Sequence, residues 1–301
     1  VGIKLAAESV VRQGELFLAL DARRDERSPA REALVRVASA IDVDWLERLF
    51  PQSIMRERTA MLDESRGTVV GRATTRYLDL PLRESDDVAV DTETAERVLA
   101  DHLTPERLRD LILADENARR WVDRVELLKK VMPNQSWPSL WSDDFAREIA
   151  QSAVRGKRTL ATVSAALADA LRGMLQYPLD RLLDSDAPEL IEVPTGNHIR
   201  LEYPSQSDRH DEIAPPVLAV RLQEMFGLAD TPRIAGGRVA VVLHLLGPNY
   251  RPVQITRDLR SFWATTYAQV RKDLKARYPK HSWPDDPLTA PPQARGGRWR
   301  T

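Results

Sequence analysis

The spacing of apolar residues changes twice along the chain, and this change limits the possible folds more than any other feature of the sequence. Residues 1–85 carry short, loosely alternating runs of Val, Leu and Phe, which are typical of strands. Residues 91–177 place apolar side chains three and four positions apart, which is the spacing of amphipathic helices. From about residue 186 both patterns occur, and no segment repeats another. The sequence therefore predicts an α+β protein.

We expect three successive parts in the 301 residues. A mostly β part covers 1–85, a central bundle of about four helices covers 86–177, and a mixed α/β domain with an extended basic tail covers 178–301. The chain starts at Val1 without a Met, on a predicted strand, so we expect it to be a fragment of a longer protein.

Turn and cap residues place the elements of the first part. Asp42 is suited to cap a short helix that ends at Leu49. Residues 33–41 have two interpretations, because Ser28-Pro29 resembles a helix start whereas the Val content favours a strand. The predicted strands lie at 10–11 and 16–20, around Gln13-Gly14, and at 54–62 and 67–82, in a hairpin about 63–67.

In the last part, a turn at 194–197 predicts a hairpin, and residues 217–222 and 239–246 are predicted to be buried strands. An amphipathic helix over 256–276 follows, with Thr256 as its cap. Its apolar stripe includes Trp263, which we expect to be buried. The proline-rich tail from Tyr278 is expected to be extended. The apolar stripe of this helix consists of residues 255, 259, 262, 263, 267, 270 and 274.

Several classes of chemistry are excluded by residues that the chain lacks. Without cysteine there are no disulfides, thiol nucleophiles, thiolate zinc sites or iron–sulfur clusters, and a reducing compartment is compatible. No two of the five histidines lie within five residues, which excludes an HExxH metal site. Gly156-Lys157 is no P-loop, because Gln151 replaces the required Gly and Arg158 the Ser/Thr. We therefore predict no catalytic, cofactor-binding or metal site in this chain, and neither a membrane span nor a signal peptide.

The charge is unevenly distributed along the chain. The net charge is −1, yet residues 196–301 carry 16 Lys/Arg against 10 Asp/Glu, and the last 54 residues carry 11 against 4. A basic end on a neutral protein suggests an anionic partner, of which nucleic acid is the usual case. A solvated basic tail explains the same numbers, and charge alone leaves both interpretations open.

Aromatic residues accompany these cations. Seven of the 18 aromatic residues lie in 245–301, most of them beside Arg or Lys. This arrangement suits single-stranded nucleic acid, because cations bind phosphates and aromatic rings stack on bases. In the alternative interpretation Phe262 and Trp263 belong to the core, while Tyr278 and Trp283 fix the tail to the domain.

Four strings in the last part of the chain are long and specific. They are Val193-Pro-Thr-Gly196, Pro216-Val-Leu-Ala-Val-Arg-Leu-Gln-Glu-Met-Phe-Gly227, Arg251-Pro-Val-Gln-Ile-Thr-Arg-Asp-Leu-Arg-Ser-Phe-Trp263 and Arg277-Tyr-Pro-Lys-His-Ser-Trp-Pro-Asp-Asp-Pro287. With these strings the sequence resembles the C-terminal part of the HrpB family of bacterial DEAH-box ATP-dependent RNA helicases. The resemblance is strongest over about 176–290 and continues more weakly upstream through 17–24, 34–41 and 45–51. Ala276 stands where the family usually has Gly.

The resemblance implies a division of labour within a longer helicase. Two RecA-like motor domains, which hold ATP and Mg²⁺ and hydrolyse ATP, would precede this chain, and this fragment alone would be no enzyme. Residues 1–60 would be the later strands of an OB-like domain, which favours the strand interpretation of 33–41. The remainder would be the extension particular to this family.

The implied function is an accessory one in a cytoplasmic helicase. The region would assist binding of single-stranded RNA or other nucleic acid and couple it to the motor domains in cis. The alternative is a module that docks a protein partner or braces the helicase core; an independent hydrolase is a third hypothesis, and no membrane partner is expected. The candidate nucleic-acid-binding residues are Arg12, Arg23 and Arg24 in the OB-like part and Arg251, Arg257, Arg260, Arg277 and Lys280 in the extension.

Overall fold

The structure, a computed structural model, describes residues 3–12, 15–24, 33–205 and 213–294, and has the α+β fold that the sequence predicts. The chain divides into two compact units, Val1–Leu99 and Ala100–Thr301. Within the described ranges, no helix has the length and apolar character needed to cross a membrane.

The first unit contains two three-stranded sheets within its described residues. In one sheet β3 lies between β1, to which it is parallel, and β2, to which it is antiparallel. The other is an antiparallel meander in the order β4-β5-β6. Its elements are β1 (Ile3–Leu5), β2 (Leu16–Arg24), β3 (Ala33–Ile41), α1 (Val43–Leu49), β4 (Ile54–Asp63), β5 (Thr68–Tyr77) and β6 (Leu80–Val88).

Two local predictions for this unit are confirmed. Residues 33–41 form strand β3, and the Asp42 carboxylate caps α1 by accepting a hydrogen bond of 2.9 Å from the Asp44 amide. At the β4–β5 turn the Asp63 carboxylate accepts hydrogen bonds from Ser65 and Arg66, which lower its pKa. The OB-like architecture stays a prediction.

Two other predictions for this unit are wrong. Val10-Val11 is not a strand; the parallel strand lies earlier, at β1. The predicted strand 67–82 is two strands, β5 and β6, joined by a tight turn at Leu78 with a φ of 50°. Because leucine rarely adopts this left-handed conformation, the composition gives no sign of the turn. The predicted turn at Gln13-Gly14 lies outside the described residues.

After β6 the chain forms a series of helices, several of which begin at a capping residue. Five helices lie within residues 86–177, one more than expected. Thr104, Asp115, Ser142 and Thr159 each accept a hydrogen bond from the amide three residues later, so each fixes the start of one helix. The boundary between the two units falls within the first of these helices, and a further helix follows the predicted end of the bundle. The helices are α2 (Thr92–His102), α3 (Pro105–Ala114), α4 (Glu116–Val131), α5 (Asp143–Ala153), α6 (Leu160–Gly173) and α7 (Leu179–Asp186).

A buried arginine joins α4 to α7 and to the residues that follow α7. The Arg124 guanidinium is almost completely buried and donates hydrogen bonds to the carbonyl oxygens of Leu183 and Ala187, at 3.2 and 2.6 Å. It also pairs with the carboxylates of Asp184 and Glu189, both at 3.1 Å. Such a dense set of acceptors is needed because a buried charge is costly unless it is paired.

The C-terminal part of the second unit is built on a mixed sheet in the order β13-β12-β9-β8-β7. Strands β12 and β9 are parallel and the other pairs are antiparallel. The predicted hairpin turn at 194–197 is confirmed, with Gly196 at a φ of 79°. The predicted strand 239–246 is interrupted at Val241. The strands of this part, of which the mixed sheet contains five, are β7 (Leu190–Glu192), β8 (His198–Glu202), β9 (Val217–Arg221), β10 (Arg233–Ile234), β11 (Val239–Ala240), β12 (Val242–Leu246) and β13 (Pro252–Thr256).

The last helix starts later than its apolar spacing predicts. It comprises α8 (Leu259–Ser261), a π-helical turn (Phe262–Thr266) and α9 (Tyr267–Arg277), and the Asp258 carboxylate caps it through the Ser261 amide. The prediction of Thr256 as the cap and Ile255 as the first apolar position is wrong. Both residues belong to β13, where they pair with β12, and Ile255 is exposed. Strand pairing with β12 overrides the helical spacing of this segment.

Trp263 is buried, as predicted, at 8% exposure. Its ring packs against those of Phe226, Phe262 and Tyr267 with centroid distances of 6.2, 5.0 and 5.2 Å. Its indole Nε1 donates a hydrogen bond of 2.8 Å to the Leu228 carbonyl oxygen. The core interpretation of Phe262 and Trp263 is therefore confirmed.

We expect Trp263→Ala to lower the free energy of unfolding of the second unit by about 3–5 kcal/mol, because it leaves a cavity and an unpaired carbonyl. Urea unfolding followed by circular dichroism measures this change. Trp141→Ala, at an indole that is 41% exposed, is the matched control and should cost much less. Equal losses in the two variants would contradict the assignment of Trp263 to the core.

Candidate nucleic-acid interface

A buried ion pair lies at the end of β9, inside the resemblance string 216–227. Arg221 Nε lies 2.9 Å from the Glu224 carboxylate, and both side chains are less than a tenth exposed. Glu224 also accepts hydrogen bonds from Thr195 Oγ1 at 3.3 Å and from Asn197 Nδ2 at 2.7 Å. The pair therefore fixes the β7–β8 turn to the end of β9.

The tail packs along the domain beside the same ion pair. Residues 278–294, the C-terminal strap, contain neither helix nor strand. Arg221 Nη2 donates to the Gln293 carbonyl oxygen at 3.0 Å, and the Gln293 amide donates to the Gln223 carbonyl at 2.9 Å. The amide of Gly227, a residue whose φ of 86° favours glycine, donates to the Pro287 carbonyl oxygen at 2.9 Å. Two parts of the strap thus join the segment that carries the ion pair.

Aromatic side chains complete the attachment. Trp283 is buried, and its Nε1 donates to the Tyr278 carbonyl oxygen at 2.8 Å. The Tyr267 hydroxyl donates to the Pro284 carbonyl oxygen at 2.9 Å, and burial raises the pKa of Tyr267 to about 12. The Tyr267–Pro284 hydrogen bond therefore attaches the tail to the last helix, and the burial of Trp283 agrees with the structural alternative.

The three arginines predicted in the first unit lie on its outside or along its strands. Arg12 is exposed and donates to the Ala7 carbonyl oxygen at 3.3 Å. Arg23 is exposed on β2, with its Nε 3.8 Å from the Asp21 carboxylate. Arg24 is the last residue of β2, and its side chain lies outside the described part.

The five cations predicted in the second unit fall into two groups, one at each end of the last helix. Arg257 and Arg260 lie at its start, whereas Arg277 and Lys280 lie at its end, about 25 Å away at 1.5 Å per residue. Arg251 belongs with the second group, because its carbonyl oxygen accepts from the Gly247 amide and Gly247 lies against Leu274.

These cations differ in how far they are already neutralised. Arg260 forms two hydrogen bonds of 2.9 Å to the Asp230 carboxylate, and this pairing lowers the pKa of Asp230 and raises that of Arg260. The Arg277 guanidinium lies 5.9 Å from the Tyr278 ring centroid. The side chains of Arg251, Arg257 and Lys280 are exposed and have no ion-pair partner within the described ranges.

Two further features lie outside the candidate site residues that the sequence indicated. The exposed Lys272 and Lys275 lie on α9, between the two groups of cations, and their basic character off the apolar stripe was visible in the sequence. A groove at the end of α4 contains an exposed aromatic residue, Tyr177, which no local pattern indicates.

We expect Glu224→Ala to lower the free energy of unfolding of the second unit by about 3–5 kcal/mol, because Arg221 would remain buried without its carboxylate. Tryptophan fluorescence in a urea series follows this unit, which holds six of the seven tryptophans. Limited proteolysis should cleave the strap faster in the variant. In the control Asp144→Ala, at an exposed pair with Arg147, the loss should stay below about 1 kcal/mol. A loss of similar size at Glu224 would contradict this role of the pair.

Comparisons with known proteins agree with the resemblance. Residues 149–287, which include all four strings that carry it, match the family model HrpB_C, described as ATP-dependent helicase C-terminal. The chain is 32% identical over 308 residues to the ATP-dependent RNA helicase HrpB of Escherichia coli strain K12, an alignment that covers 98% of this chain and 36% of that protein.

Two solved structures are also similar. The crystal structure of the E. coli DExH-box NTPase HrpB matches with 31% identity and a TM-score of 0.60, and that of the Escherichia coli DEAH/RHA helicase HrpB with 28% identity and a TM-score of 0.53. Each match covers 93% of this chain and 34% of the solved chain. The chain thus spans about a third of the length of the relatives it matches, and over that length it is similar to the C-terminal region of HrpB.

Proposed function

We propose that this region binds single-stranded RNA through the phosphate backbone and holds it near the motor domains of the same helicase. The observation that carries the proposal is the set of exposed cations Arg251, Arg257 and Lys280, which have no ion-pair partner in the part of the chain that the structure describes. Similarity to HrpB supplies the context, because the similar E. coli protein is an ATP-dependent RNA helicase.

The burial of Trp263 and Trp283 supports phosphate contacts rather than stacking of bases on these two rings. Trp263 and Trp283 are buried, so their faces are not available to bases. Cations without stacking partners bind the backbone and carry no base preference. The expected binding is therefore independent of sequence and sensitive to salt.

The two groups of cations suit an extended ligand. A strand that contacts both would run along the last helix, past Lys272 and Lys275. Arg260 would contribute less than Arg257, because a phosphate has to displace the Asp230 carboxylate from it. The first-unit candidates Arg12, Arg23 and Arg24 would add contacts in the OB-like part.

ATP and Mg²⁺ would act in the motor domains. The matched relative is about three times as long as the aligned region, which leaves room for such domains outside it. Coupling would follow if RNA held by this region stays near the motor through each cycle of hydrolysis. The whole helicase would work in the cytoplasm, where its RNA substrates are found. Docking of a protein partner is the alternative that a failure to bind RNA would favour.

Titration of labelled single-stranded RNA into the 301-residue chain at two salt concentrations tests the proposal. We expect log K to fall with log[salt] with a slope of about 0.7 per phosphate contact. Absence of binding at low salt would contradict the proposal and favour a bracing or docking role.

Charge reversal tests the residues. We expect Arg257→Glu combined with Arg251→Glu to weaken binding of all RNA sequences alike and to reduce the salt slope by about 1–2, because two phosphate contacts are lost. Arg147→Glu, at an exposed arginine of α5, is the control with a similar change of charge per site. Affinity unchanged by the double variant, with an intact fold, would show that these residues are not the site.

A further inference from the structure

We infer that the helical bundle carries a second contact for the same strand: a groove in which Tyr177 stacks on a base while Lys129 faces the phosphates. This inference rests on the proposed function, which it extends from backbone contacts to a base contact. It places the contact at the ends of α4 and α6, outside the residues that the sequence indicated.

The groove consists of two adjoining cavities of about 340 and 500 Å³, and Gln135 lines both. It is formed by the loop after α4 and by the segment between α6 and α7. Among the residues that line the first cavity are Ser136, Gln176 and Tyr177, and among those that line the second are Lys129 and Lys130. All of these residues lie in the second unit.

Tyr177 is the most exposed aromatic side chain of the described chain, at 82%. Its ring has no aromatic or cation–π partner among the described residues. The backbone beside it is held in place, because the Leu179 amide donates to the Gln176 carbonyl oxygen at 2.8 Å. The Tyr177 ring is exposed to solvent and therefore has no role in packing. Its exposed faces suit stacking on a base.

The two halves of the groove differ in charge, just as the uncharged base of a nucleotide differs from its charged phosphate. The cavity that contains Tyr177 is lined by apolar side chains, amides and a hydroxyl, with no Asp, Glu, Lys or Arg. The other cavity contains two lysines and one carboxylate, Glu126, which lies 3.9 Å from Lys129 Nζ. Bases thus match the uncharged half, where Gln135 and Gln176 offer hydrogen bonds, and phosphates match the half that contains the lysines.

Neighbouring tryptophans do not share this arrangement. Trp137, in the lysine half, is buried, and its Nε1 donates to the Met132 carbonyl oxygen at 3.0 Å, so it forms a wall of the groove. Trp141 is exposed on another side of the bundle, but Arg109 lies 4.9 Å over its ring. Trp141 therefore provides an aromatic control outside the groove.

The test measures the affinity of the 301-residue chain for fluorescein-labelled oligouridine by anisotropy, with Tyr177→Ala, Tyr177→Trp and the control Trp141→Ala. An abasic strand of equal length serves as a second probe. We expect Tyr177→Ala to weaken binding of oligouridine about fivefold or more and to leave the abasic strand unaffected, because only a base can stack. Tyr177→Trp should bind at least as tightly as the unsubstituted chain, and Trp141→Ala should bind equally. Lys129→Ala should weaken binding of both probes.

The outcomes separate this inference from the proposed function. Oligouridine binding that changes less than twofold in Tyr177→Ala, while the unsubstituted chain binds in a salt-dependent way, overturns the groove and leaves the proposed function standing. Loss of both probes to the same degree in Tyr177→Ala also overturns it, because that pattern indicates a backbone or folding effect. No binding by the unsubstituted chain overturns both.

Discussion

The buried ion pair between Arg221 and Glu224 is the interaction on which the C-terminal domain depends. Charges taken out of water are stable only when every partner is in place, so the pair requires the β7–β8 turn, the end of β9 and the strap at the same time. The strap then closes over the helix that contains Trp263 and Tyr267. Segments far apart in sequence, at 195–197, 221–227 and 282–293, are thereby fixed together, and they coincide with three of the four strings that resemble the helicase family.

This arrangement separates the structural cations from those proposed to bind RNA. Arg124 and Arg221 are buried among acceptors and maintain the fold. Arg251, Arg257 and Lys280 lie on the surface without such acceptors in the described ranges. The strings shared with the family therefore serve two purposes: their apolar and amide positions build the domain, and their exposed cations are the ones proposed to meet RNA. A scaffold of this kind keeps the cations at fixed positions relative to one another, which a mobile basic tail does not.

Sequence alone was informative where the signal is local. The Asp42 cap, strand β3, the turn at Gly196 and the burial of Trp263 follow from spacing, capping chemistry and resemblance. The sequence was uninformative where the structure of a residue depends on contacts with residues far away in the chain. Ile255 has helical spacing but belongs to a strand because β12 pairs with it, and Arg260 has the exposure of a ligand-binding cation but already holds Asp230. Tyr177 gave no signal either, since the groove around it is formed only when two loops meet.

Ultraviolet crosslinking of photoreactive single-stranded RNA to the 301-residue chain, with mass-spectrometric mapping of the linked peptides, tests the central claim most directly. Contact along the surface of the second unit predicts crosslinks in peptides that contain Arg251, Arg257 or Lys280. Crosslinks confined to the first unit, or a pattern that is the same after Arg251 and Arg257 are both replaced by glutamate, would show that these exposed cations are not where the region meets RNA.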